Sequence, residues 1–591
     1  MKKNKWHGRY ALCSRVFLFT LLVCFFETFT VYGQKINVSE RAFFNTSPDY
    51  TQVKKELFEL QKNFPLLRVS KAGPSDCGEN LVEIILSRKK IFTVLDARKR
   101  GIPILFINNG IHPGEPDGTD ACLRWLKAIK EDNNLLPENL VVVIVPVFNI
   151  DGALNRNSRS RANQNGPLEY GFRGNAKNLD LNRDFIKCDA KNTESLISLL
   201  RKWDPDVFLD THVSNGADYQ YTMTLISSQH NKLGGVCGKY LKDTFTPALF
   251  SRMKNKGVEM APYVESKDET PDNGIVGFLE SPRFSTGYCA QFQTFGFVSE
   301  THMWKPYHER VWATVDFIDV LANFCAEKGA EIISIRKKER EKLVSKTYFP
   351  YKWQLDTFQF DTFLFKGFEA ERKTSSISGK DRLFYNRSKP FEKPIPFYDY
   401  YMFSDSIKVP DYYILPQAYD EIRKRLVNNG VVLHRLEKDS VIVGEVHRVK
   451  GFTTVNNPYE GHYLHRNIKT EISVEKSLFL KGDYIIPVRQ KSIRFIIESL
   501  EPVTEDSYFA WNFFDGFLQQ KEGFSDYIFE EAAEAILNSN PEIKAELEKE
   551  KAINKQLAED HWQQLNFIYQ RSEYKEKTHN RLPVMRTFKQ P

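Results

Sequence analysis

Two short runs of nearly unbroken aliphatic residues, 102–108 and 140–149, constrain this chain more than any other feature of it. A strand with one wet face alternates apolar and polar side chains. These runs do not alternate, so both of their faces must be covered. Between them the period changes: Cys122, Trp125, Leu126 and Ile129 recur at helical spacing behind Asp117 or Thr119 as candidate caps. Strand, helix and strand in that order predict a parallel crossover. Further strand-like runs follow at 207–211 and 295–299. A helix is expected over 307–326, with Val311, Val315, Ile318 and Leu321 on one face. From about Thr46 to Gly329 the chain therefore reads as an α/β layered fold with a largely parallel or mixed sheet.

At 591 residues the chain exceeds what one core ordinarily supports. Residues 1–33 read as a signal peptide: a lead-in with Lys2, Lys3, Lys5, Arg9 and Arg15, an apolar run over 16–26, and Val31 and Gly33 before a cleavage point at Gln34. That run is too short to span a membrane comfortably, so export to the periplasm or the medium is expected, with no stable span after removal of the leader. After about Ala330 the texture changes. Residues 337–342 are a charged run that ends a helix or forms a linker. Aromatic, turn-punctuated segments then predict a β-rich accessory domain over 345–505, with helical periodicity only near 417–428. The remaining segment, 506–591, contains strongly helix-forming runs from Tyr527 onward. The expected division is thus 1–33, 34–330, 345–505 and 506–591.

The leader's five basic residues and Glu27 account for +4 of the formal +7, which leaves +3 and no case for nucleic acid as a partner. Of the eight cysteines, Cys13 and Cys24 belong to the leader. Cys77, Cys122, Cys188, Cys237, Cys289 and Cys325 are scattered and lack metal-ligand spacing, so they read as structural, with pairing open.

Chemistry concentrates at four places. In "NNGIHPGEPDG", His112 and Glu115 stand three apart in a Gly/Pro-rich loop directly after a buried strand, a spacing that lets both reach one ion. His212 in "VFLDTHVSNG" ends another strand and is the candidate third ligand. In "GFRGNAKNLDLNRDF", Arg183 with Asn182 offers a guanidinium fork and an amide donor for a carboxylate. Arg173 suits a developing oxyanion, and Asp180 suits the free N–H of a ligating histidine. In "FGFVSETHMWKPY", Glu300 ends an apolar strand, where a carboxylate can move protons. Each motif alone reads as easily as a solvated loop or a core histidine. Strand ends in open α/β sheets are where ligands collect, and this favours the joint reading.

The order His-x-x-Glu, Arg-x-Asn-Ala-(three residues)-Asp-Leu-Asn-Arg, His, Glu resembles the zinc carboxypeptidase family, the carboxypeptidase A-like metallopeptidases, over about Thr46 to Gly329. The resemblance implies a mixed, roughly eight-stranded sheet flanked by helices and one zinc ion per chain. It implies His112, Glu115 and His212 as ligands, Glu300 as general base and acid, Arg173 at the scissile carbonyl, and Asn182 with Arg183 on the terminal carboxylate. A tyrosine that closes over substrate is matched by Tyr288, with Tyr263 as the alternative. Arg283 and Ser285 fall in the region that would set side-chain preference. The expected function is a metallocarboxypeptidase acting on peptides with a free C-terminus, including cell-wall peptides. The alternatives are a zinc amidase or deacylase of small N-acyl amino acids or cell-wall peptides, and an inactive peptide-binding homologue. The aromatic runs "VPDYYILPQAYDEI" and "DSYFAWNFFDGF" are expected to be core of the later region rather than a binding surface.

Overall fold

The aliphatic runs fold as expected, into the middle of a sheet. The computed structural model describes residues 43–589, and the expected leader lies outside the described residues. The eight-stranded sheet is built from β1 (Leu67–Pro74), β2 (Asn80–Leu86), β3 (Ile104–Asn108), β4 (Val141–Val145), β5 (Val207–Ser214), β6 (Met223–Ser227), β7 (Met260–Pro262) and β9 (Phe295–His302). Their order is β1-β2-β4-β3-β5-β9-β6-β7. The central strands β4, β3, β5 and β9 run parallel; β1 and β2 pair antiparallel with their neighbours, and β6 is antiparallel to β9 but parallel to β7. Every residue of β3, β4 and β5 is buried, which is why these segments are apolar without alternation. Each buried Val, Ile or Leu there stabilises the fold by about 1.5–3 kcal/mol before entropy is counted.

The helix Asp117–Glu131 packs against the long helix Tyr307–Val344, and Lys191–Trp203 packs along β1. Neither Asp117 nor Thr119 caps the first of these helices. Pro116 is the N-cap and makes no side-chain cap bond. The Asp117 carboxylate instead accepts from Arg310 Nε at 2.9 Å, and Thr119 Oγ1 donates to the carbonyl of Pro146 at 2.8 Å. Tertiary pairing, to a neighbouring helix for Asp117 and to the loop after β4 for Thr119, has taken the groups that capping would have used. The charged run 337–342 continues the long helix, where Arg340 grips Asp204 at 2.7 and 3.0 Å.

The later region is β-rich. A hairpin of Asp361–Thr374 and Asp381–Tyr398 pairs at its end with β8 (Ile275–Val276), and Tyr348–Leu355 pairs with Tyr401–Lys408. A six-stranded sheet follows. Helices occupy 526–569, and the chain then returns to that sheet as the strand Arg581–Thr587, between Tyr412–Leu415 and Ser440–Thr454. One hydrophobic core joins the two regions: Leu105, Phe106 and Leu209 belong to the same cluster as Tyr413, Phe495 and Trp511. Tyr413, Ile414, Leu415, Tyr508, Phe509 and Trp511 are buried, so the aromatic runs are core. The six cysteines of the described residues are free thiols. Among the described residues no helix is long and apolar enough to cross a membrane.

Candidate metal centre

The strand order reverses direction between β3 and β5: from β3 the chain crosses to β4 on one side, while β5 pairs on the other. Loops at the carboxyl ends of such strands splay apart and leave a crevice. Gly110, with φ at 65°, turns the chain out of β3. Residues 112–115 then form a tight turn in which Glu115 N–H donates to the carbonyl of His112 at 2.8 Å, with Pro113 at its second position. That turn brings both side chains to one side. Gly118 then lets the following helix approach β5 closely, since a Cβ there would lie 1.9 Å from Thr211 Oγ1. His212 is near the end of β5, and Glu300 sits directly across from it on the parallel neighbour β9.

The three expected ligands meet. His112 Nδ1 and His212 Nδ1 lie 3.1 Å apart, and Glu115 Oε2 is 3.3 Å from the first and 3.1 Å from the second. All three residues are buried. Four-coordinate zinc with ligand distances of ~2.0–2.1 Å places its donors about 3.3 Å apart, so this triangle fits such an ion. Surrounding groups fix each donor. His112 Nε2 lies 3.0 Å from Asp180 Oδ1, and Glu115 Oε2 also accepts from the backbone N–H of Val213 at 2.9 Å. Glu115 Oε1 accepts from Arg161 Nη1 at 2.8 Å.

The electrostatics suit a cation. Burial opposes charge on Glu115, but Arg161 and His112 outweigh it and hold the carboxyl well below its usual range. Burial likewise disfavours the His212 imidazolium, yet Asp210, Glu115 and Glu300 raise its pKa well above the ordinary value. A pocket negative enough to keep a proton on a buried imidazole is one in which a metal ion can replace that proton. Burial, against the pull of His212 and with the nearby charges of Glu115 and Asp210, pushes Glu300 up to about 8. Its carboxylate accepts no side-chain or backbone hydrogen bond among the described residues and lines the cavity.

Asp180 is held far below the usual carboxylate range; burial works against this, but His112, Arg173 and Arg183 prevail. Arg173 Nε donates to Asp180 Oδ2 at 2.9 Å, and its Nη1 lies 3.6 Å from Glu115 Oε1. Asn149 holds the Arg173 carbonyl at 2.9 Å. The cavity over the site measures about 480 Å³. His112, Glu115, His212, Glu300, Arg173, Asn182 and Arg183 all line it, and so does Arg161, which the sequence did not single out. Arg161 is one of three arginines between 156 and 161, and only tertiary packing selects it. Asn182 Oδ1 accepts from Ser285 N–H at 3.2 Å, which leaves its NH2 end as the available donor. Arg183 donates to the Asn182 carbonyl at 2.8 Å and stacks on Phe284 with its guanidinium carbon 4.4 Å from the ring centre.

Tyr288 is not at the site. It is fully buried, and its hydroxyl donates to Asn429 Oδ1 at 2.6 Å inside the shared core. The short helix Ser285–Ala290 turns it away from the cavity, whereas Tyr263 lines the cavity wall. Arg283 is likewise turned away and bound through Nε to Asp506 at 2.8 Å, while Ser285 faces the cavity.

Residues 53–220 match the family model described as zinc carboxypeptidase; His112, Glu115, Arg173, Asp180, Asn182, Arg183 and His212 fall within that stretch, and Glu300 falls beyond it. No curated protein matches the chain. Similar solved structures include a metallo-carboxypeptidase from Burkholderia cenocepacia, at 14% identity and a TM-score of 0.35, covering 46% of this chain and 68% of that one. A metallo-carboxypeptidase from Pseudomonas aeruginosa, in complex with (2-guanidinoethylmercapto)succinic acid, has 14% identity and a TM-score of 0.35 over 47% of this chain and 69% of its own. Carboxypeptidase A from Helicoverpa armigera has 16% identity and a TM-score of 0.35 over 54% and 81%. The family match thus covers the stretch of the chain that holds His112, Glu115 and His212, and that stretch is similar to the zinc carboxypeptidases.

Proposed function

We propose that the chain is a zinc-dependent metallocarboxypeptidase that hydrolyses the last bond of a peptide with a free C-terminus. One observation carries the reading: a buried triangle of His112, Glu115 and His212 donors opens into the same cavity as Glu300, Asn182 and Arg183. His112, Glu115 and His212 would hold one zinc ion per chain, with Asp180 fixing the ring of His112. Bound there, zinc supplies Lewis acidity and brings the pKa of a coordinated water towards ~7.

The remaining work falls to the chain's own side chains. Glu300, free of hydrogen-bond partners, takes a proton from the attacking water and returns it to the leaving amine. Arg173, beside Glu115, donates to the carbonyl oxygen as it gains charge. Arg183 pairs with the terminal carboxylate while the Asn182 amide donates to it. Holding the chain end in this way presents only the terminal bond to Glu300, which is how internal cleavage is avoided. The basic and apolar leader supports export, with peptides met outside the cytoplasm as substrates.

A peptide library with free and amidated C-termini, digested with and without a chelator and read by mass spectrometry, tests this. Loss of single terminal residues from free ends only, abolished by the chelator, is expected. Equal cleavage of amidated ends, or turnover of small N-acyl amino acids alone, would replace the reading with the amidase alternative.

A further inference from the structure

The β-rich region reaches the metal centre through one turn. In 459–462, Tyr459 and His462 exchange both backbone hydrogen bonds, at 2.8 and 3.0 Å, and Glu460 and Gly461 between them have φ of 51° and 80°. Two consecutive positive φ values define the tight hairpin turn that Asn-Gly and Asp-Gly ordinarily make. Glutamate is a poor choice for that backbone, because its Cβ crowds the left-handed conformation. A Glu held in that conformation is over-determined by contacts beyond the turn itself.

Those contacts are visible in what the side chain touches. Glu460 Oε2 accepts from the backbone N–H of Asp180 at 2.7 Å, across 280 residues of sequence. Asp180 Oδ1 is in turn 3.0 Å from His112 Nε2, and its Oδ2 accepts from Arg173. The turn itself is anchored. Tyr459 stacks on Trp511 at 6.0 Å between ring centres, and Gly461 abuts Leu179. His462 bridges Asn512 at 2.6 Å and Asp189 at 2.7 Å. Arg425, also from the later region, donates to the Lys187 carbonyl at 2.7 Å and to Asp189 at 2.9 Å. The loop that carries Asp180, Asn182 and Arg183 is therefore held at its start by Glu460 and at its end by His462 and Arg425.

We propose that Glu460 is a positioning residue for the metal centre, acting through Asp180 on His112, and that this is what the β-rich region contributes to the site. The proposal rests on His112, Glu115 and His212 binding zinc. Groups that hydrogen-bond a ligand directly, as Asp180 does His112, typically change metal affinity ~10–100-fold when lost, and Glu460 is one bond further out. The test compares two neutral amides that differ by one methylene. Glu460→Gln keeps an oxygen within reach of the Asp180 N–H; Glu460→Asn is too short but suits the positive φ better.

Zinc affinity is measured on the full chain by chelator competition, with melting temperature and kcat/KM on a free-ended peptide beside it. Glu460→Asn is expected to bind zinc about tenfold more weakly with its melting temperature unchanged, and Glu460→Gln to stay within about twofold of wild type. Glu460→Asp, short but still charged, should behave as Glu460→Asn and covers the case in which that variant folds poorly. If the Asn, Asp and Gln variants all bind zinc as wild type does, Glu460 has no positioning role. If wild type binds no zinc, the metal-centre reading falls and takes this proposal with it.

Discussion

Glu300 and Glu501 are deep carboxylates in different regions of the molecule, and they are treated in opposite ways. Glu501, in the later region, accepts from the Tyr413 hydroxyl at 2.5 Å and from Arg586 at 3.2 and 3.3 Å, and its Oε2 lies 3.1 Å from His447 Nε2. Burial works against its charge, but His447, Arg586 and Tyr413 bring its pKa down to about 2. Glu300 has no such hydrogen-bond partners, and burial, with the like charges of Glu115 and Asp210 beside it, pushes it up to about 8. A fully paired buried carboxylate stays ionised and serves the fold. An unpaired one facing a cavity is costly to the fold, and its pKa lies where proton transfer at neutral pH needs it.

That contrast can be broken by experiment. The largest effect is expected for Glu300→Gln: a fall in kcat of about 10²–10⁴-fold with zinc content retained. In zinc-free protein the same variant should be no less stable than wild type. Glu300 holds its proton to about 8 when folded and only to 4.5 when unfolded, so wild type loses stability relative to the glutamine variant as pH rises through that window. Denaturant unfolding at pH 5 and pH 8.5 reads this directly. A loss of stability equal to that of a core mutation would make Glu300 structural instead.

Glu501→Leu should do the reverse, costing about 3–5 kcal/mol in denaturant unfolding because His447 loses its carboxylate partner and Arg586 keeps only Glu445. The kcat/KM of the molecules that remain folded should be unchanged. In wild type, the contribution of Glu501 is present above pH 4.5 and lost as pH falls from 4.5 towards 2; the difference between these values is worth about 3 kcal/mol. An acid unfolding midpoint that is the same in wild type and Glu501→Leu would contradict the pairing. The smallest effect is expected at Tyr288. Tyr288→Phe removes the hydroxyl bond to Asn429 and should cost about 1 kcal/mol of stability while KM stays within twofold.

How far the sequence could be read follows the same division. His112 and Glu115 were legible because a local turn presents both, and His212 and Glu300 because apolar strands end where they stand. The central sheet was legible because fully buried strands cannot alternate. Sequence does not separate Tyr288 from Tyr263 as the tyrosine of the site, because the Tyr288 side chain is claimed by Asn429, 141 residues away. Arg161 sits among other arginines in a polar loop and acquires its place only when that loop folds over Glu115. Glu460 belongs to a turn with no local mark of function, since its partner is 280 residues distant. The returning strand Arg581–Thr587 follows helix-forming sequence, and its pairing depends on a gap in a sheet formed much earlier in the chain.

The most direct measurement is an anomalous difference map at the zinc edge from crystals grown with one equivalent of zinc. One peak within ~2.0–2.1 Å of His112 Nδ1, the Glu115 carboxylate and His212 Nδ1 is expected. A peak elsewhere, or none at this triangle despite stoichiometric zinc, would contradict it.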